Sequence, residues 1–157
     1  MSKPSFVYVT YIRTTPEKLW AALTDPQTIG KFWFGITAES DFKPGSPWAL
    51  KFEDGRTADI GEILEAEPPR RLVIRWRNEF RPELKAEGWS RCTMLIELAD
   101  YYPDRGGKAV KLTIHHEPEG GGGAKFIEAV SGGWPKVLSN LKSLLETGDI
   151  AFQEHAK

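Results

Sequence analysis

Glu62 and His116 are the two residues whose types and settings could support acid–base chemistry. Glu62 lies in the run Thr57 to Ala66 and alternates with Ile60 and Leu64. If that face turns inward, its carboxyl enters an apolar pocket and holds its proton more tightly, a common device for a catalytic acid. The opposite register turns Ile63 inward and leaves Glu62 in water. Apolar residues occur on both faces, so alternation leaves both registers open, and the solvated one is favoured. His116 ends the face formed by Val110, Leu112 and Ile114. It reads either as a strand-end histidine, at the surface or bonded to a loop, or as a polar group at a cavity mouth. His115 points the other way, so the pair cannot grip one ion together. With a single cysteine, Cys92, no metal site and no cofactor are expected.

Other motifs carry less. Ser139 to Lys142 matches the S-x-x-K spacing of some acyl enzymes, but no companion motif accompanies it. Gly120 to Gly123 lacks the Gly-Lys-Ser/Thr ending of a phosphate loop and reads as a flexible lead into a helix, with a gate over a cavity as a further role. Arg70, Arg71, Arg75, Arg77 and Arg81 form a local basic stretch. Three of them share one strand face, which reads as solvated. No nucleophile, base and orienting group assemble into a set, which weighs against catalysis.

The elements that would position these residues are legible. Phe6 to Arg13 is β-branched and aromatic, hence a strand covered in part on both faces. Thr15-Pro16 and Asp25-Pro26 are cap-plus-proline signals for two short helices, the second running to about Trp33 and ending near Gly35. Strands follow over Ile36 to Glu39, Pro47 to Glu53, Thr57 to Ala66, Arg71 to Arg77, Ser90 to Leu98 and Ala109 to His116. Asp54-Gly55 marks a hairpin turn. Asn78 to Gly88 reads as a loop, and Tyr101 to Lys108 as a hairpin connection. The apolar residues from Ile127 to Leu145 recur at spacings of three and four, one stripe on a helix of about six turns. Pro135 predicts a kink or an irregular start there, and Gly148 closes the helix. Asp149 to Lys157 has no obvious partner face and reads as a fraying tail.

The chain has 157 residues, a net charge of −1 and 27% charged residues, the composition of an ordinary globular domain. That balance argues against a polyanion partner, and no nucleic acid is expected. No window approaches the ~20 apolar residues of a membrane helix, and no signal peptide opens the chain, so the cytoplasm is the expected location. Aromatic residues are unusually abundant at 11%, with 6 Trp. Either the core is rich in tryptophan or some rings line a cavity. Trp89, beside a loop, reads as rim or surface packing.

Three blocks of residues carry a resemblance. Thr15 to Pro26 resembles the opening of the START-like, Bet v 1-like superfamily (SRPBCC). Gly61 to Leu72, with Arg75-Trp76, resembles a further block. Gly132 to Gly148 resembles the final helix of the branch named after the activator of Hsp90 ATPase. The resemblance implies an α+β helix-grip fold: a curved antiparallel sheet of about six to seven strands wrapped around a long C-terminal helix, with two short helices after the first strand. It implies a single domain over residues 1–157, ordered over about 5–148, with no room for the additional N-terminal domain of eukaryotic Hsp90 activators.

In this superfamily the space between helix and sheet is typically an apolar cavity for a lipid, sterol or polyketide-like ligand. The expected lining is Trp20 and Trp33 from the short helices, then Trp48, Phe52, Ile74, Trp76, Met94, Ile96, Leu112, Ile114 and His116 from the strands. Phe126, Val130 and Trp134 complete it from the long helix. Binding of a small hydrophobic molecule is the leading expectation. The alternatives are a module for a chaperone ATPase, or a pocket enzyme on an aromatic or polyketide-like substrate with Glu62 or His116 as its acid or base. The chain is expected to be a monomer or a homodimer, without membrane insertion.

Overall fold

Alternation along the first strand decides where the sheet faces. The computed structural model describes residues 4–100, 108–120 and 122–153. In β1 (Phe6–Ile12), Phe6, Tyr8, Thr10 and Ile12 turn inward. Val7, Val9 and Tyr11 remain 58%, 42% and 52% exposed, so the expected partial cover on the second face is absent. β1 pairs antiparallel with β7 (Lys108–Pro118) and forms one edge of the sheet.

Two capped helices carry the chain to the other edge. In α1 (Pro16–Thr24) the Thr15 hydroxyl accepts from Lys18 N–H at 3.2 Å. In α2 (Pro26–Phe32) Asp25 accepts from the Thr28 N–H and hydroxyl at 3.1 and 2.6 Å. These bonds, Thr28's hydroxyl foremost, hold the Asp25 carboxyl below its usual range. Proline at the first helical position costs no hydrogen bond. The chain then meanders through β2 (Thr37–Ser40), β3 (Pro47–Lys51), β4 (Thr57–Glu67), β5 (Arg71–Asn78), β6 (Ser90–Asp100) and β7. The result is a seven-stranded antiparallel sheet in the order β1-β7-β6-β5-β4-β3-β2. Register shifts at Leu50/Lys51 and Ile63/Glu65 bend it, because a bulge adds a residue to one strand only.

The segment expected as a loop over Asn78 to Gly88 contains a short helix, α3 (Pro82–Lys85), started by Pro82 and anchored by buried Leu84. The connection expected over Tyr101 to Lys108 falls outside the described residues, except for Lys108. So do Gly121 and residues 154–157.

α4 (Ala124–Thr147) lies against the inner face of the sheet. Gly123 opens it at φ 99° and Gly148 ends it at φ 90°, backbone angles that a side chain makes costly. Helical structure continues through Pro135, inside α4. Asn140 is fully buried and ties three parts together: its Nδ2 donates to Phe32 O at 3.3 Å and its Oδ1 accepts from Phe152 N–H at 2.8 Å. The ring of Phe152 meets Phe34 edge-on at 5.7 Å. The first part of the tail is thus tethered rather than frayed.

Gly61 on β4 has a specific steric role. It stands opposite Trp48 on one side and Trp76 on the other. A β-carbon there would come 1.6 Å from Arg75 O. Gly61→Ala should therefore lower stability by about 3 kcal/mol or more, at the upper end of overpacking costs. Urea denaturation measures this, and an unchanged midpoint would refute the steric role.

Candidate functional site

Four tryptophans cluster between α4 and the sheet. The Trp48 and Trp76 rings lean together over Gly61, with centroids 4.6 Å apart. Trp33, at the end of α2, lies 6.0 Å from Trp76 and 5.1 Å from Trp134 of α4. Trp76 and Trp134 meet edge-on at 5.9 Å. On the α2 side of this cluster only about 20 Å³ of void remains. On the other side a cavity of about 210 Å³ lies between α4, β4, β5 and the start of α3.

The walls of this cavity are Trp33, Leu50, Trp76, Leu84, Phe126, Val130, Trp134 and Val137. Its rim carries Arg81, Ala129 and Gly133, all exposed. Two polar side chains, Asp59 and Asn78, also face it. Asp59 is 8% exposed, and its Oδ1 accepts from Asn78 Nδ2 at 3.2 Å. Burial pushes its pKa up to about 6, partly offset by Trp76 and Asn78 and reinforced by the negative charge of Glu79. The Trp76 indole N–H eases that charge electrostatically without reaching hydrogen-bond geometry. It is the buried side-chain donor among the described residues that has no hydrogen-bond partner.

Sequence reasoning passed over Asp59, although one signal was present. The register that turns Ile63 inward and solvates Glu62 also turns Gly61 and Asp59 inward. Ile63 is indeed fully buried and Glu62 half-buried.

His116 is fully buried among aromatic rings, at neither the surface nor the mouth of this cavity. Its Nδ1 lies 3.2 Å from Trp134 Nε1 and its Nε2 lies 2.9 Å from Ser90 Oγ. An indole nitrogen only donates, so Nδ1 must accept and Nε2 must carry the proton. The chain of donors then runs from Trp134 to His116, from His116 to Ser90, and from Ser90 Oγ to Trp76 O at 2.9 Å. This polarity is the reverse of a catalytic serine–histidine pair, in which the imidazole accepts the hydroxyl proton. Burial, with a smaller contribution from His115, lowers the His116 pKa to about 3. His116 therefore positions Trp134 and Trp76 in the cavity wall.

The other expected lining residues are divided. Trp33, Trp76, Phe126, Val130 and Trp134 face the 210 Å³ cavity. Trp48, Ile74 and Met94 face the small void. Leu112 and Ile114 are buried in the core, and Trp20 packs against its margin. Ile96 borders an outer groove with Arg70 and Leu98. Phe52 meets Phe80 at 4.8 Å, with Arg56 over both rings. Trp89 lies under the guanidinium groups of Arg75 and Arg77 at 4.2 and 4.5 Å. The basic stretch is internally matched: Arg70, Arg71, Arg75, Arg77 and Arg81 each have a carboxylate within 3.2 Å. Ser139 and Lys142 do not meet. Ser139 donates to Pro135 O, and Lys142 bridges Tyr11 O and Glu146. Among the described residues no three metal-ligating side chains converge.

Asp59 and His116 tilt the pH dependence of stability in opposite directions. Between about 6.5 and 3 the unfolded His116 binds a proton that the folded one refuses, so stability falls as pH falls. Between 3.8 and about 6 the folded Asp59 keeps a proton that the unfolded one loses, so stability falls as pH rises. Asp59→Asn removes the second effect. The variant should be about 1–3 kcal/mol more stable than the parent at pH 7.5 and should lose stability more steeply between pH 6 and 4. Chemical denaturation across that range provides the check, and parallel curves for parent and variant would contradict it.

Comparison with known proteins places this geometry in a family. The family model for activator of Hsp90 ATPase homolog 1-like protein matches residues 13–146. Among solved structures, CalU16 from Micromonospora echinospora aligns over 92% of this chain and 77% of its own at 25% identity, with a TM-score of 0.68. An HSP90 activator from Plasmodium falciparum aligns over 90% of this chain and 95% of its own at 25% identity, with a TM-score of 0.66. The Aha1 dimer from Colwellia psychrerythraea, at 16% identity, covers 92% of this chain and 98% of its own with a TM-score of 0.70, a likeness of fold alone. Among curated proteins nothing matches. A seven-stranded sheet closed over one long helix by a tryptophan cluster, matched from the end of β1 to the last turn of α4, makes this chain a member of the activator of Hsp90 ATPase homolog 1-like family.

Proposed function

We propose that the protein binds a small hydrophobic molecule between α4 and the sheet. The observation that carries this reading is the aromatic-walled cavity of about 210 Å³ with exposed residues at its rim. At about 30 Å³ per liquid water, that is the space of roughly seven waters. The volume lies below the ~300–1,000 Å³ of a typical drug-sized site. It favours a compact molecule of one or two rings over a full sterol or a long acyl chain.

The test is a titration with naphthalene, followed by tryptophan fluorescence and by shifts of the indole N–H signals. Saturable binding that perturbs Trp33, Trp76 and Trp134 is expected. Val130→Trp, which fills the cavity from α4, should weaken it at least tenfold while the protein stays folded. Absence of saturable binding, or binding indifferent to Val130→Trp, would sink the reading.

A second reading is a protein-interaction module acting on an Hsp90-type ATPase. Family membership and the Plasmodium HSP90 activator favour it. The exposed row Val7, Val9 and Tyr11 on edge strand β1 supplies apolar surface for such a contact. Stimulation of a cognate Hsp90-type ATPase, reduced severalfold by Val7→Ser with Val9→Ser, is the expected result. No stimulation by the parent protein would end this reading.

A further inference from the structure

Asp59 is an acid with an unfilled role. Its Oδ1 is taken by Asn78, while no hydrogen bond from the described residues reaches Oδ2. No described lysine or arginine forms an ion pair with it. Arg56, the cation nearest in sequence, is committed to Asp54 at 2.7 Å, and Arg77 and Lys85 are committed to Glu79 at 2.8 and 3.2 Å. Arg81, at the cavity rim, is exposed and paired with Glu83 at 3.1 Å. Glu79 adds negative potential from the adjoining strand end. The cavity therefore presents a carboxylate beside the Trp76 indole N–H, behind apolar walls.

Such a site discriminates by desolvation. Any molecule that fills the cavity displaces the water that still reaches Oδ2. A hydrocarbon or an anion leaves the carboxylate buried and uncompensated, which is costly. An ammonium group restores the lost interaction through a charge-assisted hydrogen bond.

We propose that the cavity selects a small aromatic amine in its protonated form, with the ammonium group bound to Asp59 Oδ2 and the ring held by Trp33, Trp76, Trp134 and Phe126. This inference rests on the ligand-binding reading above and specifies the ligand's charge. Neither the family match nor the aromatic walls favour a cation; Asp59 does.

Three ligands of one shape test it: 2-naphthylmethylamine, 2-naphthylmethanol and 2-naphthoic acid, titrated by calorimetry at pH 7.5 and pH 5. At pH 7.5 the amine should bind the parent protein at least tenfold more tightly than the alcohol, with the acid weakest. The preference for the amine should shrink to less than threefold at pH 5, where Asp59 gains a proton, and in folded Asp59→Asn at pH 7.5. In the amine complex the Asp59 carboxyl, followed by its ¹³C shift, should titrate at lower pH than in the free protein. An alcohol that binds as tightly as the amine would overturn the inference while leaving the apolar pocket intact. An amine preference that survives Asp59→Asn would overturn it as well. Failure of all three ligands to bind would sink both readings.

Discussion

The contact of Trp76 with its neighbours is the constraint on which the interior depends. Its ring lies within 4.6–6.0 Å of Trp48, Trp33, Trp134 and His116. Those residues come from β3, the end of α2, α4 and β7. Gly61 contributes by letting β4 lie close to the Trp76 strand, where a β-carbon would strike the Arg75 carbonyl. Large aromatic side chains bury ~150–250 Å² each. A cluster of them spans the distance that a bent sheet opens beneath a helix, where a single row of aliphatic residues would not.

The polar groups of the interior follow from that cluster. An indole brings an N–H that needs a partner when buried. Trp134 finds one in His116, and the same imidazole reaches Ser90, which closes on the Trp76 carbonyl. Trp76's own N–H is left beside Asp59 without a hydrogen bond. Burial in this interior disfavours the charged form of both titratable groups, and so shifts their pKa values in opposite directions. His116 is held neutral with both nitrogens engaged. Asp59 retains an unengaged oxygen toward a cavity.

The cavity and the exposed apolar row fall on different parts of the molecule. The cavity opens between α3 and α4, whereas the exposed apolar row lies on β1 at the sheet edge. The two proposed roles therefore need not compete for one surface. The matched arginine–glutamate pairs on and beside β5 leave no concentrated basic face among the described residues, in keeping with a net charge of −1.

Local signals determined the elements. Thr15-Pro16 and Asp25-Pro26 set two helix starts, alternation set the strands, and spacings of three and four set α4. These depend on neighbours a few residues away, so they are written in the sequence. The short helix α3 escaped because four residues carry too little periodicity. Which face of β4 turns inward was open, since both carry apolar residues, and only pairing with β3 and β5 around Gly61 decided it. That single choice moved Glu62 outward and brought Asp59 into the cavity. His116 was legible as the end of an apolar face, but its tautomer and its burial depend on Trp134, 18 residues away on another element. The sequence alone determined an α+β chain with an aromatic interior. The size of the remaining space, and the carboxylate that faces it, were decided by tertiary packing, because a void is defined by side chains distant in sequence that fail to fill it.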